Sequence, residues 1–358
     1  MSMSTKMVKT RQWLLQNKPD DLPQLEGSDA TFKLAETDLP ELKDDELLVK
    51  AKFISNDPAQ RGWISPVVKA DRLYTVPVKQ GTPMHARSLG EVVASKSSSY
   101  KTGDWVLSST GWSEYAIIPA KQAQPAPDLP GGLSRTHYLG ALGFTGMTAY
   151  YGLVDIARAT KDDIVVVSGA AGATGSMVVQ IAKNIVGCKK VIGIAGTDDK
   201  CKWVESLGAD TCLNYKSSSF TEDLAKALPG PDGWANVYFD NVGGEILDLM
   251  LTRMARHGRI AACGAVSNYN NSPERSTGVK NWFEVISMRI EILGFIVLDF
   301  IPKMGETGQI FLKALSEGKL KVDDSSEQIV KVGFEDVPKT WMSLFTGSNT
   351  GKLITALQ

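Results

Sequence analysis

Ile164-Val165-Val166-Val167-Ser168 runs straight into Gly169-Ala170-Ala171-Gly172-Ala173-Thr174-Gly175, and Ser176-Met177-Val178-Val179-Gln180-Ile181-Ala182-Lys183 follows. The order is a β-branched strand, a glycine turn and a helix-compatible segment. Glycines let a backbone approach a pyrophosphate, and a helix N-terminus presents unpaired N–H groups with a partial positive charge. The spacing is GxxGxxG instead of the commoner GxGxxG, so the flanking strand and helix give the pattern its weight. The reading is a dinucleotide-binding turn; the alternative is a tight βα turn needed only for close helix–sheet packing.

Working outward, strand signals at 164–168, 191–195, 211–214, 237–240, 259–263 and 291–298 alternate with helical ones. A repeat of about 25 residues is the rhythm of βαβ units and a parallel sheet. Upstream, short alternating segments at 8–15, 46–54, 89–94, 104–108 and 112–118 sit between Pro, Gly and Asp and predict a compact antiparallel barrel. Downstream of Leu320 the pattern returns to short β-like pieces, and Gly351-Lys352-Leu353-Ile354-Thr355-Ala356-Leu357 reads as a strand that rejoins the first domain. The nucleotide domain is then an insertion.

The chain has 358 residues, more than one hydrophobic core usually serves. Charged residues are 22% and the net charge is -1, which gives no global field for nucleic acid or an anionic membrane, and no apolar run approaches a bilayer span. Cys188, Cys201, Cys212 and Cys263 form no CxxC, which points to reduced thiols and a cytoplasmic setting. Lys6, Lys9 and Arg11 precede the first acid, Asp20, a composition that faintly suggests a transit peptide.

Cofactor choice is read at the end of the strand after the turn, where an NAD enzyme places Asp or Glu on the ribose 2′-hydroxyl. Ala195-Gly196-Thr197 stands there, with Lys200 one turn on. The missing acid and the nearby cation favour NADPH, although a small backbone shift could aim Asp198 or Asp199 at a 2′-hydroxyl. Zinc needs three or four ligands from Cys, His, Asp or Glu, and the first cysteine is Cys188, beyond the whole first domain. No metal is expected. His257, before Gly258, reads as a cation at a helix C-terminus.

Asn56-Asp57-Pro58 with Arg61, Leu142-Gly143-Phe144-Thr145-Gly146-Met147-Thr148-Ala149-Tyr150, the glycine turn, Tyr238-Phe239-Asp240-Asn241-Val242-Gly243-Gly244, Cys263-Gly264-Ala265-Val266-Ser267-Asn268-Tyr269-Asn270 and Gly347-Ser348-Asn349-Thr350-Gly351-Lys352 follow one another along the chain. In this order they resemble the leukotriene B4 dehydrogenase, prostaglandin reductase and alkenal double-bond reductase family of zinc-free medium-chain dehydrogenases/reductases. The zinc enzymes' Gly-His-Glu element is replaced by Ser88-Leu89-Gly90-Glu91.

The resemblance implies an α/β fold: a Rossmann-type doubly wound parallel sheet inserted in a GroES-like β-barrel catalytic domain. Its segments would be 1–136 for the catalytic domain, 137–318 for the NADP-binding domain and 319–358 for the return. It implies an NADPH/NADP+ site made by Gly172, Ala173, Thr174, Gly175, Lys200, Tyr215, Asn241, Cys263, Gly264, Ala265, Val266, Ser267, Tyr269, Phe295, Ile296, Val297 and Asn349. Lys200 and Tyr215 would hold the 2′-phosphate, Asn241 and the loop from Cys263 the ribose and nicotinamide, and the Phe295 strand end the carboxamide. Asn349 would close over the pyrophosphate.

The implied reaction is reduction of the C=C bond of an α,β-unsaturated aldehyde or ketone by hydride transfer to the β-carbon, in a homodimer. Tyr269 would donate to the enolate oxygen or supply the proton; packing on the cofactor, with water as proton source, is the alternative. Asn56, Arg61 and Tyr74 are pocket candidates, with Trp63 beside them. Family members commonly carry tyrosine after the Asp-Pro pair, whereas Ala59 and Gln60 follow Pro58 here. A quinone reductase and a non-catalytic, crystallin-like NADPH-binding protein are the competing readings.

Overall fold

A computed structural model describes residues 8–276 and 278–358. Lys6, part of the basic leader composition, lies outside them. Two compact units emerge. One holds the chain up to Leu139, Gln328–Ser348 and Leu353–Gln358; the other holds Gly140–Glu327 and Asn349–Lys352.

The second unit is built on a six-stranded parallel sheet. From one edge its strands are Thr211–Asn214, Lys190–Ala195, Ile164–Ser168, Ala235–Asp240, Met254–Ala262 and Glu291–Gly294. In chain order this is 3-2-1-4-5-6, the doubly wound arrangement whose switch point lies between the first and fourth strands. Ile164–Ser168 is buried along its whole length, as a central strand covered on both faces must be, which is why it reads as a continuous β-branched run. The unit's core continues past helix Met304–Ser316 through Leu320 and Val322. For that reason this unit runs on to Glu327; its first residue is Gly140.

Two elements of this unit differ from the sequence reading. The last strand ends at Gly294, because Phe295 turns inward and sets its ring edge-on to Phe239 at 6.2 Å, and Val297–Lys303 is a 3-10 helix. His257 is not at a helix end. It lies inside strand Met254–Ala262 with φ +60°, where the register jumps from Ala235↔Met254 to Val237↔Arg259, and its N–H donates to Met288 O at 2.8 Å.

In the first unit, Glu46–Ser55 is the hub of a seven-stranded sheet, pairing antiparallel with Ser88–Ser95, Tyr115–Pro119 and Lys352–Leu357. Strand Phe32–Asp38, unread in the sequence, pairs with Lys9–Leu15; its largely exposed and charged residues carry little apolar alternation. Phe32, Trp112 and Trp341 pack at centroid distances of 4.8–6.0 Å, so helix Val337–Met342 adds its Trp341 to this core. Among the described residues no helix is long and apolar enough to cross a membrane.

Candidate active site

The glycine turn closes at the C-terminal end of the central strand. Gly169 has φ +58°, a conformation L side chains rarely adopt, and Gly172 N–H donates back to its carbonyl at 2.9 Å. Helix Ala173–Gln180 then starts at Gly172 with no side chain capping it, so the N–H groups of Ala173, Thr174 and Gly175 have no intrahelical acceptor. A β-carbon on Gly175 would collide with Gly169 O and stand 2.8 Å from the Ala170 Cα. The turn and the helix are therefore as close as backbone allows, which suits a pyrophosphate lying on bare N–H groups.

Residues 349–352 pack on this turn. Gly351 N–H donates to Ala171 O at 2.8 Å, and Lys200 Nζ donates to Asn349 O at 2.6 Å. Lys200 sits on helix Asp198–Ser206, capped by Thr197, whose hydroxyl accepts from the Lys200 N–H. Burial, and then the charge of Lys216, push the Lys200 ammonium below its ordinary pKa. Tyr215 follows strand Thr211–Asn214 and lays its ring against Gly196. Asp198 accepts from Asn214 Nδ2 at 2.8 Å, and exposed Asp199 pairs with Lys202 at 3.4 Å, so both acids at this strand end have partners of their own.

Across the switch point, Asn241 Nδ2 donates to Ser168 O at 2.8 Å and its N–H to Ser168 Oγ at 3.0 Å. Buried Asp240 organises this corner: its Oδ1 accepts from Ser168 Oγ, Tyr238 Oη, and the N–H groups of Val242 and Gly243. Its carbonyl accepts from the N–H groups of Cys263 and Gly264, at 2.9 and 3.1 Å. The loop continues with Val266 N–H on Asn241 O and both Ser267 N–H and Oγ on Val242 O. Tyr269 folds back so that its hydroxyl accepts from Ala265 N–H at 3.3 Å. Burial and the Asp240 charge push the Cys263 thiol up to about 12, so it stays protonated.

Gly172 to Gly175, Lys200, Tyr215 and Asn349 thus share one part of the second unit, while Asn241, the loop from Cys263 and Tyr269 share the adjoining corner. Phe295 stands beside Phe239, with the backbone of Gly152 beneath both rings. Asp240 and Lys216 carried no role in the sequence reading. The only signals for them were an acid at the end of a buried strand and a second lysine near the unclaimed strand end.

The pocket candidates belong to the first unit. Asn56 is buried and donates Nδ2 to Thr355 Oγ1 at 2.9 Å; Arg61 is buried and donates Nη2 to the carbonyls of Pro19 and Asp21, both at 2.8 Å. These two hold the frame. Trp63 Nε1 donates to Tyr74 Oη at 3.0 Å, and Tyr74 is exposed. Gln60, next to the Ala59 that follows the Asp-Pro pair, is wholly buried, accepting from Asp57 N–H and donating to His85 O, at 2.7 Å each. Among the described residues no group of three or more His, Cys, Asp or Glu stands together as a metal-ligand set.

A doubly wound sheet with an uncapped, glycine-lined turn at its switch point defines the second unit as a Rossmann-type dinucleotide domain. Comparison with known proteins narrows this. Residues 11–126 match the family model "N-terminal domain of oxidoreductase" and 173–313 match "Zinc-binding dehydrogenase". The chain is 36% identical to prostaglandin reductase 1 of Bos taurus over 97% of its own length and 99% of that protein. It is 33% identical to the NADPH-dependent curcumin reductase of Escherichia coli, over 98% of each. The solved structure of CurA from Vibrio vulnificus in complex with NADPH superposes with a TM-score of 0.86 at 32% identity, covering 97% of this chain and 99% of that one. The chain belongs to the prostaglandin reductase family of the medium-chain dehydrogenase/reductase superfamily.

Proposed function

We propose that this chain reduces the C=C bond of an α,β-unsaturated aldehyde or ketone with NADPH, without zinc, delivering hydride to the β-carbon. At the coarser level it is an NADPH-dependent oxidoreductase acting on C=C bonds, as its family membership over nearly the full length implies. The observation that carries the reading is the Gly169–Gly175 turn, with Lys200 and Tyr215 at the next strand end where an NAD enzyme would keep an acid. Those residues fit the cofactor: bare helix N–H groups suit the pyrophosphate, and a partly buried cation suits a 2′-phosphate.

NADPH, when bound, supplies the hydride. The chain's own part is placement and stabilisation of charge. The N–H groups of Ala173, Thr174 and Gly175, with Asn349, would hold the pyrophosphate. Lys200 and Tyr215 would hold the 2′-phosphate, and Asn241 and the backbone from Cys263 to Ser267 would fix the ribose and nicotinamide. Phe295, Ile296 and Val297 would hold the carboxamide. The Tyr269 phenol would donate a hydrogen bond to the substrate carbonyl oxygen, where the reduction places negative charge.

The test is an acceptor screen, NADPH and NADH side by side, with and without a chelator. A 2-alkenal or enone is expected to oxidise NADPH faster than NADH and to be indifferent to the chelator. Turnover with quinones alone would replace this reading by a quinone reductase, and cofactor binding with no acceptor by a non-catalytic protein. A homodimer, as the resemblance implies, is part of the proposal; mass by light scattering checks it.

A further inference from the structure

Lys216 lies just past strand Thr211–Asn214 and is exposed. Its N–H donates to Asn214 Oδ1 at 3.0 Å, a local turn that leaves its ammonium 5.8 Å from the centroid of the Tyr215 ring. The same ring abuts Gly196, where a β-carbon would stand 3.1 Å from it. One aromatic ring therefore links the end of strand Lys190–Ala195 to Lys216.

Lys200 rises from the helix that begins at Thr197, directly after Gly196, so the Tyr215 ring stands between the start of that helix and Lys216. Burial and then the Lys216 charge disfavour the Lys200 ammonium, and an anion held by both lysines offsets that repulsion. The acids of the segment are directed elsewhere, Asp198 toward Asn214 and Asp199 toward Lys202. A phosphate monoester near neutral pH carries close to two negative charges, enough for both ammonium groups.

We propose that Lys216 is a second cation for the phosphate on the ribose 2′-oxygen, so that preference for NADPH over NADH is set by Lys200 and Lys216 together. This rests on the cofactor reading above. It adds a specificity residue past the end of strand Thr211–Asn214, beyond the end of strand Lys190–Ala195 where the acid of an NAD enzyme would stand.

Calorimetric binding of 2′,5′-ADP and 5′-AMP to the purified full chain tests it without turnover. Lys216→Gln is expected to weaken 2′,5′-ADP roughly five- to tenfold, the scale of one partly screened charge pair, and to leave 5′-AMP unchanged. It should also make the salt dependence of 2′,5′-ADP binding shallower. Lys216→Arg should keep most of the affinity, and Lys189→Gln, which removes an exposed charge at the opposite end of strand Lys190–Ala195, should change nothing. Equal 2′,5′-ADP affinity in wild type and Lys216→Gln, or an equal loss in Lys189→Gln, would overturn the assignment. If the wild type itself fails to prefer 2′,5′-ADP over 5′-AMP, the NADPH reading fails first, a result distinct from failure at Lys216 alone.

Discussion

Ser168 Oγ donates to Asp240 Oδ1 at 3.0 Å, joining the C-terminal ends of the two strands that flank the switch point. That oxygen also receives Tyr238 Oη at 2.8 Å and the N–H groups of Val242 and Gly243 at 3.0 Å each. One buried carboxylate oxygen thus fixes the corner from which Asn241 and the Cys263 loop are hung. Asp240→Ala leaves these donors unsatisfied and is expected to cost about 3 kcal/mol or more in urea unfolding, against about 1–2 kcal/mol for Ser168→Ala. Equal effects of the two substitutions would show that the carboxylate is not the hub.

Gly175→Ala tests the phosphate turn. Its β-carbon has no room between Gly169 O and the Ala170 Cα, whereas one on Gly294 would meet nothing within 4 Å. NADPH fluorescence titration should show an affinity loss of about tenfold or more for Gly175→Ala, the order of about 1.4 kcal/mol, and none for Gly294→Ala. Full affinity in Gly175→Ala would mean the close approach does not serve the cofactor.

Tyr269→Phe separates chemistry from packing. Ala265 N–H donates to the phenol oxygen and orients it. With the hydroxyl as donor to the developing enolate, kcat should fall by about tenfold to a hundredfold while NADPH affinity stays constant. An unchanged kcat removes Tyr269 from catalysis and leaves water as the proton source.

Stability should fall in alkali through two thiols, buried Cys188 and half-buried Cys263. Burial and Asp163 hold the Cys188 thiol up at about 11, and burial and Asp240 hold Cys263 at about 12, both above the ordinary 9.0. The folded state keeps these protons after the unfolded chain has lost them. The associated stability is complete below pH ~9 and declines as pH rises toward the folded values. Urea midpoints at pH 8, 9 and 10 should drop progressively, and Cys188→Ala should flatten the slope. A midpoint independent of pH over that range would contradict the assigned burial.

The central strand and the turn were legible in sequence because each needs a distinctive composition: a strand covered on both faces is apolar throughout, and a turn with positive φ and a close helix needs glycine. Strand bounds were least secure where tertiary contacts decide them. Phe295 leaves the sheet for Phe239, and His257 accommodates a register jump; neither is written in local propensity. Asn56 and Arg61 read as pocket candidates because they belong to the Asn56-Asp57-Pro58 motif with Arg61, while their partners, Thr355, Pro19 and Asp21, lie far away in the chain, so the hydrogen bonds that tie them to the frame are not legible locally. The Asp240 hub is not legible either, because its donors combine Ser168 on the strand beside it with Tyr238 on its own strand and the turn after it.

The most direct test of the account is the position of the transferred hydride. The enzyme would be supplied with NADPH deuterated at the reactive nicotinamide carbon and a 2-alkenal, and the product examined by NMR. Deuterium on the β-carbon of a saturated aldehyde is the predicted result. Deuterium on the former carbonyl carbon of an allylic alcohol, with the double bond intact, would contradict it.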